Sequence, residues 1–544
     1  MRAFLEVSMG LRRFVAFLVF LTAASAHGDA PGVYAITGGT VHPVSGPAIA
    51  NGIVVIRDGL IESVGGANTV IPRDATTIDV AGAHVYPGLI DAQTSLGFAA
   101  PARRTSGGGG GGGGAAAAPA TPDPTPDSVA LRNVKISDDD ASARRAIGVT
   151  TVLTAPTTGV FNGQSVLLNL GEGAVESRVI KSPAAMQVSF TPKPGFFSAF
   201  PNSLMGVVAH LRQTFMDADQ HQNARTIYER NPAGLQRPAD NPSLEALRPV
   251  IRRELPVVFL ADTDLAIRRV AALAKEFNLR YIISGGRQGY AVANELKNIP
   301  VLVSVKWPAA PADQQDREDQ PLRVIRDRQL APTTPAVLAR AGVQFALVSG
   351  AGKTADFLPG IRKAVESGLS ADDALRAVTL APARIFGVDR QLGTLERGKI
   401  ANLVVSDKPL FEKDAKVTRV FVDGDEIRIP KDDKPAAGAA AAASPIDGTW
   451  SLTVRAPEGN VSMSVTLRSE NGALSGTFSG DRGSGDIRGG TFADNNFDFT
   501  ISTNAQNEAE ASDWNFSGSI DGTTMTGSVT NTIGTFAFSG SKPE

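Results

Sequence analysis

The run Pro87-Gly88-Leu89-Ile90-Asp91-Ala92-Gln93-Thr94-Ser95 holds the residues that bear most directly on chemistry in this chain. After the carboxylate of Asp91 come an amide, Gln93, and a hydroxyl, Ser95. Both are poor ligands for zinc, which prefers imidazole and thiolate. The chain has no Cys, so thiolate ligands, cysteine nucleophiles and disulfides are excluded. Its His residues are His27, His42, His84, His210 and His221. His210 lies on the amphipathic stretch from Leu204 to Phe215, and His221 follows without an acidic partner at ligand spacing, so both are read as surface or packing residues. An all-oxygen site using Asp91 and Asp262 suits only a hard cation such as Mg²⁺ or Ca²⁺. No Gly-x-Ser-x-Gly stands in a strand-to-helix setting, which leaves a hydrolase elbow unsupported. Gly285-Gly286-Arg287-Gln288-Gly289 departs from the dinucleotide-binding pattern and reads as a tight βα turn. Arg287 and Lys306 are the cations placed to meet an anionic ligand.

The elements that position these residues alternate in type. Val257–Leu260, Arg280–Ile283, Val301–Val305 and Phe345–Val348 read as buried strands. Between and after them, helices are predicted over 264–277, 290–297, 335–341 and 355–367. Such repetition demands a parallel sheet, and over this length the closed (β/α)8 barrel is the expected form, although an open doubly wound sheet has the same periodicity. Strand-like runs flank this α/β region: Val33–Ile36, Ile53–Ile56 and Leu60–Val64 before it, and Asn402–Val405 and Val417–Val422 after it. Turn signals Asp58-Gly59 and Asp423-Gly424 accompany them. A composite β-sandwich domain over 31–86 and 394–428 is therefore expected, with the barrel at 87–393. Gly107–Gly114 and its Ala- and Pro-rich continuation lack the means to offset ordering entropy, so 99–127 reads as a disordered insertion beside the first barrel strand. An Ala/Pro/Lys linker covers 429–446. Beyond it, 447–544 turns to Gly, Ser, Thr, Asn and Phe with strict alternation in Val461–Leu467 and Phe497–Ile501, predicting an antiparallel β-barrel or sandwich.

The formal net charge of −2 offers nothing to nucleic acid or to an anionic membrane surface. At the N-terminus, Arg2, Arg12 and Arg13 precede an apolar run from Phe14 to Leu21 and the small-residue pattern Ala24-Ser25-Ala26. Residues 1–26 are read as a signal peptide, the mature chain as periplasmic or extracellular, and no later segment as a membrane span.

From about Val33 to Ile427 the sequence resembles secreted amidohydrolases of the imidazolonepropionase-like branch. The motifs that carry the resemblance are Gly39-Thr40-Val41-His42-Pro43, Val85-Tyr86-Pro87-Gly88-Leu89-Ile90-Asp91, Gly148-Val149-Thr150-Thr151-Val152, Leu375–Thr379 with Ala381-Pro382-Ala383, and Gly393–Val405. In that superfamily the first barrel strand ends in P-G-L-I-D-x-H-x-H, whose two His bind a catalytic metal. Here those positions are Gln93 and Ser95. The resemblance also matches a mid-barrel His position to Leu260, a His-Gly pair to Ser284-Gly285, and a Ser-Asp pair to Ser349-Gly350. Lys306 stands near the place of a bridging Lys and reads as an ordinary basic residue at the barrel mouth.

The resemblance implies hydrolysis of C–N bonds other than peptide bonds by a metal-bound hydroxide. The residues imply a metal-free, cofactor-free, catalytically impaired relative that keeps its barrel as a binding or assembly module. Gln93, Ser95, Asp262, Arg287, Lys306 and Ser349 are the candidate residues at the mouth. The partners this admits are a small-molecule ligand, further copies of the chain, or an active paralogue. Two other readings stand beside it: a hydrolase with a rearranged non-His site, and a binding function in the C-terminal β-domain.

Overall fold

The tight turns named above build the flanking sheet. In this computed structural model, β1 (Tyr34–Val41), β2 (Ile49–Arg57) and β3 (Leu60–Gly65) form an antiparallel meander. Asp58 and Gly59, with φ of 50° and 77°, supply the left-handed pair of a primed hairpin turn. β4 (Thr76–Asp79) and β5 (His84–Pro87) both run parallel to β1. The structure describes residues 32–98, 125–192, 200–311, 320–350, 352–429 and, with short gaps, 444–542. The signal-peptide expectation, residues 99–124 of the insertion and the centre of the linker lie outside them. Residues 125–127 of the expected insertion are ordered: Asp127 accepts a hydrogen bond from the Ser243 hydroxyl (2.6 Å), and Ser128 Oγ accepts from the Thr125 N–H (2.9 Å).

The barrel begins where β5 hands over to β6 (Leu89–Thr94). Helix α1 (Asp138–Ala146) leads from it to β7 (Val149–Thr154), which is parallel to β6. A regular crossover does not follow. β8 (Phe161–Gln164) and β9 (Val166–Asn169), separated only by Ser165, form one stave. Next, β10 (Val179–Lys181) and β11 (Met186–Ser189) form another. The β8/β9 stave is antiparallel to β7 on one side and to β10/β11 on the other. Parallel pairing then resumes through β12 (Val257–Ala261), β13 (Tyr281–Gly285), β14 (Val301–Ser304) and β15 (Phe345–Val348). The regular (β/α)8 expectation is thus corrected: one of the staves runs against the others. The chain turns back at Pro156–Gly159 instead of crossing over by a helix.

Helices cover the outside. α2 (Leu204–Arg230) and α3 (Pro242–Ile251) precede β12, and α4 (Asp264–Glu276) precedes β13. The helix predicted over 290–297 is a pair of 3₁₀ turns, Gly289–Ala291 and Ala293–Leu296. α5 (Leu322–Leu330) and α6 (Thr334–Arg340) precede β15. α7 (Phe357–Glu366), α8 (Ala371–Ala377) and α9 (Leu380–Ile385) follow it. Strand residues alternate between two apolar clusters: Leu89, Phe259, Val303 and Leu347 belong to one, and Ile90, Val258, Leu302 and Ala346 to the other.

The chain returns through β16 (Leu403–Ser406), β17 (Val417–Val422) and β18 (Asp425–Ile427), and β16 pairs with β5. Both flanks therefore join one branched eight-stranded sheet, where two packed sheets were expected. The Asp423-Gly424 turn packs on the Asp58-Gly59 turn so closely that a Cβ at residue 424 would lie 2.5 Å from the Gly59 Cα. Asn402 joins this sheet to the barrel: its amide donates to Asn169 Oδ1 (3.0 Å) and Thr151 Oγ1 (3.2 Å), and its carbonyl accepts the Asp423 N–H (2.8 Å).

His42 and His84 also belong to this sheet. His42 Nε2 lies 3.0 Å from His84 Nδ1, and its ring stacks on Tyr86 at 4.4 Å. Burial, then the neighbouring His84, hold His42 below its ordinary value of 6.5, while Asp372 opposes them. The folded chain therefore binds fewer protons than the unfolded chain just below that value, so stability falls as pH drops through it. Thermal midpoints are expected to decline between about pH 7.5 and about pH 5.5, and His42→Phe, which keeps the stack, should shrink that decline. An equal decline in both proteins would refute the assignment.

The C-terminal unit, 431–544, is a closed antiparallel barrel of β19 (Gly448–Ala456), β20 (Gly459–Glu470), β21 (Ala473–Gly480), β22 (Gly483–Ala493), β23 (Asn496–Thr503), β24 (Ser512–Asp521), β25 (Thr524–Thr530) and β26 (Thr535–Ser541), with β26 pairing back onto β19. Alternation in β20 sends Val461, Met463, Val465 and Leu467 inward.

Candidate functional site

The β6/β15 seam is set by a buried ion pair. Ser137 caps α1 by accepting the Asp140 N–H, three acidic residues occupy the first turn and Arg144 the last. From there Arg144 donates to Asp91 Oδ2 at 2.6 Å. Ser349, just past β15, donates its hydroxyl to Asp91 Oδ2 (2.5 Å) and its N–H to Oδ1 (3.0 Å). Asp91 is 0% exposed. Burial pushes its carboxyl up, whereas Arg144 and then Ser349 pull it down by stabilising the charge. With these donors on its oxygens, Asp91 is a structural clasp, and Ser349 is committed to it. Gly350 N–H donates to the Gln93 carbonyl (3.1 Å), extending the seam one step further.

Gln93 and Gln187 face each other in the barrel, Nε2 of Gln93 donating to Oε1 of Gln187 at 3.3 Å. Gln93 Oε1 and Gln187 Nε2 are left buried without a hydrogen-bond partner. Flipping both amides reverses the bond and still leaves one acceptor and one donor unmet. Gln187 is 3% exposed, so these two atoms carry a desolvation cost of about 1–3 kcal/mol each unless water or a ligand group meets them.

The other predicted residues scatter around this pair. Ser189, Leu260, Ser284, Leu302 and Ala346 form one row across the sheet. Leu260 is 48% exposed, a hydrocarbon at the strand end where the resemblance places a ligand. Ser95 sits in the turn after β6, where its carbonyl accepts the Phe98 N–H (3.0 Å). Asp262 is half-buried over Gly285, where a Cβ would lie 2.5 Å from its Oδ1. Arg287 pairs with Asp327 of α5 at 3.1 Å. Lys306 is exposed.

Arg144 and Gln187 escaped the sequence reading. A buried Arg in Asp-Asp-Asp-Ala-Ser-Ala-Arg-Arg is indistinguishable from a solvated helix face. Gln187 had a signal, since it is a polar residue between the apolar Met186 and Val188 of a buried strand.

His210 contacts Phe161 and Phe200 edge-on, and His221 Nε2 lies 3.1 Å from the Ala239 carbonyl. Among the described residues no group of three or more His, Asp or Glu side chains is placed to hold a metal ion. The residues at the expected ligand positions do not fit zinc: Leu260 and Gly350 have no donor atom, and Gln93 and Ser95 offer neutral oxygen.

A profile of the amidohydrolase family matches residues 322–427. An amidohydrolase from Thermotoga maritima MSB8 has a similar fold, with 24% identity and a TM-score of 0.60 over 73% of this chain and 99% of that one. An adenine deaminase of Clostridium botulinum (strain Loch Maree / Type A3) is 36% identical over 64 residues, which are 12% of this chain and 10% of that relative. The chain thus spans about a tenth of the curated relatives it matches.

Proposed function

We propose that this chain belongs to the amidohydrolase superfamily, has kept the barrel of that superfamily without its metal chemistry and uses it as a secreted binding or assembly module. The observation that carries the reading is the joint replacement at Gln93, Ser95, Leu260 and Gly350, together with the commitment of Asp91 to Arg144 and Ser349. A rearranged metal site needs three donors in reach, and Asp91, the most buried carboxylate near the mouth, has its oxygens occupied. The unmet amide atoms of Gln93 and Gln187 favour a ligand over an inert scaffold, because buried polar groups are otherwise almost always satisfied.

The test is elemental analysis of the purified chain, followed by amide, lactam and dipeptide hydrolysis assays with and without added Zn²⁺ or Mn²⁺. Substoichiometric metal and no metal-dependent turnover are expected. One bound metal per chain with turnover that chelation abolishes would overturn the proposal.

A further inference from the structure

At the opposite end of the barrel from Gln93 and Gly350, a groove opens beneath the start of β15, where Phe345 is the first strand residue and Ser349 lies beyond the last. It has two adjoining compartments. One, of about 520 Å³, is lined by Ser45, Arg376, Arg384, Asp389, Arg390, Glu396 and Lys399, among others. The second, of about 440 Å³, shares Arg376, Leu380 and Arg384 and is floored by Val343, Phe345, Ala377 and Ala381, with Asp373 at its edge.

The charges are unevenly matched. Lys399 is neutralised by Glu396 at 2.9 Å and bonded to Thr394. Asp373 is engaged by the Ser370 hydroxyl at 2.7 Å. Arg376, Arg384 and Arg390 make no ion pair among the described residues, and Asp373 and Asp389 are the carboxylates that remain against these three cations. A chain whose net charge is −2 has thus gathered positive charge in one concavity. Guanidinium forks match the oxygens of phosphate, and the apolar floor beside them suits a hydrophobic substituent.

We propose that this groove is a binding site for a small phosphate monoester bearing an apolar group, with Arg376 and Arg384 shared between headgroup and substituent compartments and Arg390 completing the anion side. The site is separate from the Gln93–Gln187 pair and stands whatever that pair binds.

Calorimetric titration of the full chain with phenyl phosphate, inorganic phosphate and phenol tests it. Phenyl phosphate is expected to bind saturably and at least about tenfold more tightly than inorganic phosphate, and phenol not at all. Arg376→Gln/Arg384→Gln, both exposed positions, should weaken phenyl phosphate about tenfold or more without moving the thermal midpoint, and Arg390→Gln should weaken both phosphates. Gln93→Ala, at the other end of the barrel, should bind as the parent does. No saturable phenyl phosphate binding, equal affinity for the two phosphates, or unchanged affinity in the double variant overturns the proposal.

Discussion

Asp91→Ala should destabilise the amidohydrolase-like barrel by about 3–5 kcal/mol, because it strands the Arg144 guanidinium in a site where water cannot replace the lost carboxylate. Arg144 is 7% exposed in its side chain and its Nε already lacks a partner, so removing its one ion pair leaves a buried charge nearly unsolvated. Two further donors, the Ser349 hydroxyl and N–H, would lose their acceptor with it. Ser349→Ala, which removes one hydroxyl bonded to the carboxylate, should cost about 1.5–3 kcal/mol. The informative comparison is Asp91→Leu/Arg144→Met. Replacing both members of a buried pair by apolar groups is often neutral, so this double variant should recover most of the loss, whereas independent effects would add. Urea unfolding at constant m-value measures all of these. If Asp91 were instead a remnant of catalysis held loosely at the mouth, Asp91→Ala would leave the urea midpoint where it was.

The same residues show what was legible in the sequence. Pro87–Asp91 announced the barrel because its residue types are physically enforced there. A Cβ at Gly88 would lie 2.1 Å from Thr150 Oγ1, so only glycine lets β6 and β7 approach. The turns Asp58-Gly59 and Asp423-Gly424 were readable because both positions adopt positive φ, which few other pairs tolerate. Strand direction was not readable. Phe161–Leu170 is buried at every position, and a strand covered on both faces shows no in/out alternation that would mark its direction, so the reversal of β8/β9 resides in the preceding turn rather than in the strand. The partners of Arg144 and Arg287 were hidden for a related reason. Charge in a helix sequence does not reveal whether the side chain faces solvent or, as with Arg144, a carboxylate 53 residues away.

Trp450→Ala should destabilise the C-terminal barrel by about 3–5 kcal/mol, the range for removing a large buried aromatic. Trp450 is 0% exposed, and its indole N–H donates to the Ile446 carbonyl at 2.7 Å. Lys542 stands over the ring at 5.0 Å while its ammonium donates to the Pro445 and Asp447 carbonyls, so Trp450 fastens the segment before β19 to the end of β26. The prediction bears on function because it tests what fills this barrel. An eight-stranded barrel is just wide enough either to be packed by its own side chains or to hold one small ligand. Here Trp450, Phe478, Phe499, Trp514, Phe516 and Phe538 share one interior cluster, so the described interior is filled by the barrel's own side chains. Hydrogen exchange of the β19–β26 amides in the full chain reads the loss locally. Indole added to Trp450→Ala should restore part of the protection by refilling an apolar cavity, as ligands do in cavities of this kind. A Trp450→Ala variant with parental exchange rates would mean that the interior is not packed as one core, and would return a ligand inside the barrel to consideration.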